Sequence, residues 1–249
     1  MRIIDINCDM GEKKGDDSAI MKFISSSNIA CGGHAGDSYS IRKSIHLSRA
    51  NGVRAGAHPG YADKENFGRR ETGQAPVAIL DVVLKQIQAF MAEAEKENST
   101  ASHIKLHGAL YNRAACDYEL MLLLASGILK EFGNIPFFTL AGSVSEKAIV
   151  EAGGIYFSEG FAERSYDCAG NLVSRSIEGS VLHDISKISK RVLDMARTGR
   201  VQSIDREEIT VSVDTICVHG DTLGAVSMAA AINEILVRNG IAVGRCDAL

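Results

Sequence analysis

One local unit recurs along the chain and limits the folds that it can adopt. Three helical segments end in Asn or Gly followed by Gly, and a β-branched residue follows at once, in Asn51-Gly52-Val53, Gly153-Gly154-Ile155 and Asn239-Gly240-Ile241. Gly and Asn tolerate the positive φ with which many helices end. A succession of strand, helix, Gly stop and next strand is typical of βαβ units and a parallel sheet.

Hydrophobic patterning predicts the number of these units. Short β-branched runs, each followed by a polar, Gly-rich turn, predict strands at 2–7, 26–30, 53–58, 103–107, 137–141, 155–158, 210–219 and 241–244. Apolar residues at helical spacing predict helices over 76–96, 180–198 and 222–239. Seven or eight units in 249 residues have the size of an α/β protein of the (β/α) barrel type, and an open doubly wound sheet is the alternative. No Pro- or Ser-rich linker divides the chain, so we expect one domain over 1–249, with an inserted hairpin at 166–177.

Composition and charge exclude several classes of protein. The chain has 27 Lys and Arg against 31 Asp and Glu, whereas nucleic-acid binders usually carry a basic excess. No apolar run approaches the roughly 18–20 residues of a membrane span, and the first ten residues do not resemble a signal peptide. The six cysteines, Cys246 among them, are scattered without a C-x-x-C pair. This disfavours a zinc ribbon and favours reduced thiols in the cytoplasm.

Polar side chains follow most of the predicted strands. The carboxyl ends of barrel strands share one face, so we expect these side chains to converge on one cleft. The candidate catalytic residues can activate water, transfer protons or hold a cation, with Asp221 orienting His219; they are Asp9, Glu12, His34, His58, His107, His219 and Asp221. The candidates for binding a small anionic substrate are Asn7, Asp37, Arg69, Arg70, Lys105, Asn112, Arg164 and Tyr166. A metal ion could be held by Asp9, His34 and His58.

The other histidines and three of the cysteines are expected to be structural. His103 stands four residues before His107, but the alternation around Lys105 predicts a strand that places His103 at the far end from the cleft. Two histidines within helical stretches are expected at the surface or in packing, namely His46 and His183. Three cysteines are expected to be buried packing residues, namely Cys8, Cys31 and Cys217.

Several nucleotide and nucleophile motifs are absent from the sequence. It contains no G-x-x-x-x-G-K-[ST] phosphate loop, no G-x-G-x-x-G after the first strand and no G-x-S-x-G elbow. If the reaction consumes ATP, we do not expect this chain to bind it in a standard P-loop.

Seven blocks, taken together and in this order, resemble the LamB/YcsF family. They are DINCDMGE (5–12), NIACGGHAGD (28–37), GAHPGY (56–61), FGRR (67–70), KLHGALYN (105–112), EGFAERSY (159–166) and ICVHGDT (216–222). The chain departs from the family pattern where Pro is usual, at Ser38, Ala62, Leu106 and Leu223.

The resemblance implies both a fold and an activity. The fold would be a barrel of seven or eight parallel strands, closed or incompletely closed, related to that of carbohydrate deacetylases. The activity would be ATP-dependent opening of 5-oxoproline (pyroglutamate) to L-glutamate, carried out with two partners, 5-oxoprolinase subunits B and C. ATP, with Mg²⁺, would be bound at least partly by those partners. Two alternatives stay open: a stand-alone metal-dependent amide hydrolase or carbohydrate deacetylase-like hydrolase, and a non-catalytic binding or regulatory subunit.

Overall fold

The structure, a computed structural model, describes residues 2–13 and 15–244, so Cys246 lies outside the described residues. Its strands are β1 (Ile3–Met10), β2 (Ser26–Ala30), β3 (Arg54–His58), β4 (Ile104–Lys105), β5 (Phe137–Leu140), β6 (Tyr156–Phe161), β7 (Arg200–Gln202), β8 (Glu208–Thr210), β9 (Thr215–Val218) and β10 (Ala242–Val243). Its helices are α1 (Asp17–Ile20), α2 (Ser38–Ala50), α3 (Pro76–Lys96), α4 (Gly108–Cys116), α5 (Tyr118–Phe132), α6 (Val144–Glu151), α7 (Ile185–Thr198) and α8 (Ala225–Arg238).

Seven parallel strands close into a barrel. β1 pairs with β2 on one side and with β9 on the other, and β3, β4, β5 and β6 complete the ring between them. The predicted (β/α) barrel is therefore confirmed, and the alternative of an open doubly wound sheet is excluded. The eighth parallel strand, β10, pairs with the start of β1 beside the ring, where Ile3 lies opposite Ala242. The expectation of a single domain over 1–249 stays a prediction.

β1 carries a row of polar side chains into the barrel. Its polar residues Asp5, Asn7 and Asp9 alternate with apolar ones, and all three are buried. Successive side chains of a strand point to opposite faces, so these three share the inner face. Asn7 donates hydrogen bonds of 2.8 Å to both Glu159 Oε1 and Thr215 Oγ1, which come from β6 and β9. The interior is thus a polar network that joins distant strands.

The helices cover the outside of the barrel, and the three whose ranges were predicted differ from the predictions mainly at their first residues. The helix predicted over 76–96 is α3, with Pro76 in its first turn. α7 begins later than predicted because the Asp184 side chain accepts a hydrogen bond from Lys187 N–H and caps it there. α8 also begins later, after Gly224, whose φ is +79°. In the described part of the chain, no helix has both the length and the hydropathy that crossing a membrane requires.

The run at 210–219 is not one strand, which corrects the sequence analysis. Its first residue, Thr210, ends β8, which forms an antiparallel pair with β7 apart from the barrel. Asp214 then accepts a hydrogen bond of 2.9 Å from Ser158 N–H through its side chain, and only the residues that follow it form β9. The strand predicted over 103–107 is also shorter, since only β4 lies within it. In the predicted hairpin, Tyr166 and Leu172 form an antiparallel bridge.

Candidate active site

A cleft of about 400 Å³ opens at the carboxyl ends of the barrel strands. One part of its wall is formed by Asp9, His58, Lys105 and His107. The rest of the wall includes Arg69, Asn112, Phe161, Arg164, Arg175 and His219. Residues from distant parts of the chain therefore face one another, because closure of the barrel brings the ends of all its strands to one rim.

Lys105 is the central cation of the cleft floor. Its Nζ lies 3.0 Å from Asp9 Oδ1 and 2.9 Å from Glu159 Oε1, and the side chain is 3% exposed. Burial alone would lower the pKa of Lys105, but the charges of Asp9 and Glu159 hold it well above its usual range. Burial alone would raise the pKa of Asp9, but attraction to His58 and Lys105 holds it well below. The floor therefore contains a charged ammonium and a charged carboxylate at neutral pH.

Three imidazole rings meet beside this ion pair. His58 ends β3, and its Nδ1 lies 2.7 Å from Lys105 O. His107 precedes α4, and its Nε2 lies 3.0 Å from Phe67 O. The other two nitrogens, His58 Nε2 and His107 Nδ1, face each other at 3.0 Å. The His34 ring stacks on that of His107, with 3.5 Å between centroids and 5° between planes.

Glu12 lies against the same rings. Its Oε1 is 3.1 Å from His34 Nε2 and 3.5 Å from His107 Nδ1. Burial, reinforced by Asp9 and Asp221, raises the pKa of Glu12 well above its ordinary value. Burial, reinforced by His58, lowers the pKa of His34 to about 2, and burial lowers that of His107 far below the usual value. His34 and His107 are therefore neutral imidazoles at physiological pH. Four residues each offer one possible metal-ligand atom, and these atoms all lie within 4.8 Å of one another. The residues are Glu12, His34, His58 and His107.

His219 lines the cleft near Asp9, with ligand atoms of the two residues within 4.8 Å of each other, and it is oriented by Glu163. The Nδ1 of His219 contacts the buried Glu163 carboxylate. Burial would raise the pKa of Glu163, but attraction to His219 lowers it. Asp221, which we expected to orient His219, is instead 2.7 Å from Arg69 Nη2. The partner of His219 thus comes from the end of β6 rather than from the residues that follow β9.

Arginine side chains give part of the cleft wall a positive charge. Arg164 is buried, and among the described residues its Nε has no hydrogen-bond partner. Burial, together with repulsion from Arg175, lowers the pKa of Arg164 to about 10. Arg164 and Arg175 therefore repel each other, and Arg164 also has a buried N–H without a partner among the described residues. Such a pair is suited to binding an anion, since guanidinium donors match the geometry of carboxylate and phosphate.

Some of the predicted site residues lie away from the cleft wall. Asp37 caps α2 by accepting a hydrogen bond of 2.8 Å from Ser40 N–H, and Arg70 is exposed and is not part of the wall. The Tyr166 hydroxyl accepts a hydrogen bond of 2.7 Å from Phe161 N–H within the core. Asn7 lies in the network beneath the cleft. Their expected part in substrate binding stays a prediction.

Several residues of the site were not among the candidate catalytic or binding residues, namely Asn28, Glu159, Glu163 and Arg175. The two glutamates stand in the block EGFAERSY, so the polar positions of that block could have identified them as site residues. Asn28 donates hydrogen bonds to Asn7 Oδ1 and Asp9 Oδ1, at 2.7 and 2.8 Å. Arg175 carried no signal, because it belongs to an irregular segment that only the fold brings to the cleft. His103 is buried and is not part of the cleft wall, as predicted.

The fold and the cleft together define the chain as a (β/α) barrel protein with a charged cleft at the carboxyl ends of its strands. The chain belongs to the LamB/YcsF family, whose family model matches residues 4–249. It is 42% identical over 248 residues to the A subunit of 5-oxoprolinase from Natranaerobius thermophilus, covering 98% of this chain and 96% of that protein. It is 41% identical over 245 residues to the corresponding protein of Pyrococcus furiosus, covering 96% of each. The solved structure of the lactam utilization protein from Thermus thermophilus is 36% identical, with a TM-score of 0.91 over 98% of this chain and 99% of that chain.

Proposed function

We propose that this chain is the A subunit of an ATP-dependent 5-oxoprolinase, which opens the lactam ring of 5-oxoproline to give L-glutamate. The observation that carries the proposal is one cleft that combines two kinds of group. It holds neutral imidazoles next to the Lys105–Asp9 ion pair, and it also holds Arg164 and Arg175. 5-Oxoproline has the matching parts, an uncharged cyclic amide and a carboxylate. The names of the relatives, which refer to 5-oxoprolinase and to lactam utilization, support the same assignment.

The chemistry of a lactam explains why ATP is needed. Amide resonance makes the ring carbonyl a poor electrophile, and transfer of the γ-phosphoryl group of ATP to the lactam oxygen would turn that oxygen into part of a leaving group. Water then adds to the activated carbon, the ring C–N bond breaks and the nitrogen takes up a proton. Loss of phosphate, with a second water, leaves glutamate. ADP and phosphate are the other products.

The chain's own residues fit the second half of this sequence. Arg164 and Arg175 bind the substrate carboxylate or the transferred phosphoryl group, and Lys105 keeps a positive charge next to the reacting ring. The polar centre of Glu12, His34, His58 and His107 positions the attacking water, directly or through a bound cation. His219, with Glu163 behind it, can donate a proton to the departing nitrogen.

We place the first half of the sequence on the partner subunits. The chain lacks a phosphate loop, so subunits B and C would bind much of the ATP and its Mg²⁺. A cytoplasmic location, inferred from the cysteines, belongs to the same proposal.

The proposal is tested by measuring glutamate release from 5-oxoproline, with and without ATP. This chain is assayed alone and then with both candidate partner subunits. We expect release only with ATP and all three chains. Release by this chain alone, or no release although the partners are folded and bound, would overturn the assignment.

One alternative is favoured by a specific observation. The cluster of Glu12, His34, His58 and His107 has the residue types of a metal site, which suits a stand-alone metal-dependent amide hydrolase or deacetylase-like enzyme. That enzyme would hydrolyse an amide without ATP or partners. The same assay, run with divalent metal and no ATP, separates the two functions.

A further inference from the structure

Two imidazoles at the cleft are held so that their free nitrogens point at each other. The Nδ1 atom of His58 lies 2.7 Å from Lys105 O and the Nε2 atom of His107 lies 3.0 Å from Phe67 O. A carbonyl oxygen can only accept a hydrogen bond, so each of these nitrogens carries the hydrogen of its ring. The two remaining nitrogens, His58 Nε2 and His107 Nδ1, are therefore the free ones, and they are 3.0 Å apart. Two ring nitrogens at this distance can share one cation that lies between them or beside them.

The two contacts of His107 Nδ1 have the spacing of metal ligands. This atom is 3.0 Å from His58 Nε2 and 3.5 Å from Glu12 Oε1, and one donor atom from each of the three residues lies within 4.8 Å of the other two. Two ligand atoms on bonds of about 2.1 Å are separated by about 3.0–3.4 Å at octahedral or tetrahedral angles. Backbone acceptors behind the ring nitrogens are also the usual way in which ligating histidines are oriented.

The geometry also separates ligands from supporting residues. His34 and His107 are parallel and 3.5 Å apart, so one ion cannot lie in the planes of both rings. The rings of His58 and His107 are at 89° to each other and can share an ion. His34 Nε2 instead lies 3.1 Å from Glu12 Oε1, and its Nδ1 is buried without a partner among the described residues. Asp9 Oδ1 lies 3.4 Å from His58 Nε2, but it is already neutralised by Lys105 at 3.0 Å.

We propose that Glu12, His58 and His107 bind one divalent transition-metal ion of the Zn²⁺ or Co²⁺ class, with His34 positioning Glu12. Two imidazoles and a carboxylate suit such ions rather than Mg²⁺, which prefers oxygen ligands. This set differs from the trio of Asp9, His34 and His58 expected from the sequence. A bound ion of this class would polarise a carbonyl oxygen or activate water. The inference concerns binding alone, so it holds or fails independently of the proposed 5-oxoprolinase activity.

The test is direct binding of Co²⁺ to the full chain. The purified protein is treated with a chelator, dialysed and titrated with Co²⁺, while calorimetry gives the stoichiometry and the visible absorption spectrum reports the ligand field. We expect one ion per chain and a spectrum that Zn²⁺ removes by competition. His58→Gln and His107→Gln should each weaken binding by more than about 100-fold, and His34→Phe by about 10–100-fold, the range for residues that support ligands.

Matched controls keep the test decisive. His46→Gln and His183→Gln replace exposed histidines and should leave affinity and spectrum unchanged. Circular dichroism and thermal unfolding of each metal-free variant establish that it is folded. If His58→Gln does not fold, Glu12→Gln removes a ligand while keeping the shape of the side chain. Absence of stoichiometric Co²⁺ or Zn²⁺ binding by the folded wild type would overturn the proposal. The contact between His58 Nε2 and His107 Nδ1 would then be a hydrogen bond in which the two rings share a proton. Unchanged affinity in folded ligand variants would overturn it as well.

Discussion

At the scale of single residues, Lys105 links three strands of the barrel by its charge. Lys105→Met would leave the carboxylates of Asp9 and Glu159 buried near each other without a cation. Removing one partner of a buried ion pair typically lowers the free energy of unfolding by about 3–5 kcal/mol. Urea unfolding of wild type and variant measures the loss. Lys85→Met, which removes an exposed pair with Asp81, is the matched control and should change stability little. A loss below about 1 kcal/mol for Lys105→Met would contradict the charged assignment.

His103 makes the stability of the fold depend on pH. Burial, reinforced by Arg54 and Lys105, lowers the pKa of His103 well below its usual value. In the unfolded chain it gains a proton near its ordinary pKa of about 6.5, while in the folded chain it stays neutral. Below that pH the unfolded state binds more protons, so stability falls as pH falls, by up to about 1.4 kcal/mol per pH unit for one group. Above it this contribution is constant.

His103→Gln should therefore reduce the pH slope of stability between about pH 6.5 and 5. Chemical unfolding at several pH values measures the slope, and the exposed His46→Gln provides the control. An unchanged slope in His103→Gln would show that His103 is protonated in the folded protein.

The residue scale also shows what a sequence can predict about a site. The histidines that follow strands and stand beside a Gly or Pro were identifiable, and His34, His58 and His107 do come together. Glu159 was not identifiable as the partner of Lys105. In the sequence it resembles any acidic residue near the end of a strand, and its burial depends on which strand closes the ring.

At the scale of elements, the start of α2 is open to a stabilising change. Ser38 is exposed and occupies the first helical position, where the backbone N–H has no acceptor within the helix. The preceding Asp37 is extended, with φ −161° and ψ 175°, as the residue before Pro prefers. Ser38→Pro should raise the free energy of unfolding by about 0.4–1 kcal/mol, because Pro restricts the unfolded chain.

Thermal unfolding of Ser38→Pro, with Ser38→Ala as the control that leaves φ free, measures this effect. We expect the Pro variant to exceed both wild type and Ser38→Ala in stability. A destabilised Pro variant would show that the first turn of α2 needs a different backbone geometry.

Element boundaries followed from the sequence only where local signals decide them. α3 is amphipathic over its whole length and begins at a Pro, so its range was predictable. The run at 210–219 is rich in β-branched residues on both sides of Asp214. The neighbouring sequence does not indicate that Asp214 accepts a hydrogen bond from Ser158 of β6 and separates two strands. Tertiary contacts therefore decided that boundary.

At the scale of the whole molecule, closure of the barrel is what makes the cleft. The repeated strand–helix unit predicted parallel strands, but the pairing of β1 with β9 could not be predicted because it joins the two ends of the barrel. That pairing brings His219, with Glu163 as its partner, to the cleft that His58 and Lys105 also line. The site is consequently a property of the closed ring, although each block that contributes to it is visible in the sequence.

The most direct test of the account is the activity of three single variants, His34→Gln, His58→Gln and His107→Gln, each in a complex with both partner subunits. Glutamate release from 5-oxoproline with ATP is measured, with His183→Gln as the folded control. Because proton transfer and positioning by such groups contribute about 10²–10⁴-fold in rate, at least His58→Gln and His107→Gln should fall by that factor, while the control keeps full activity. Full activity in all three folded variants would contradict the claim that the chemistry takes place at this cleft.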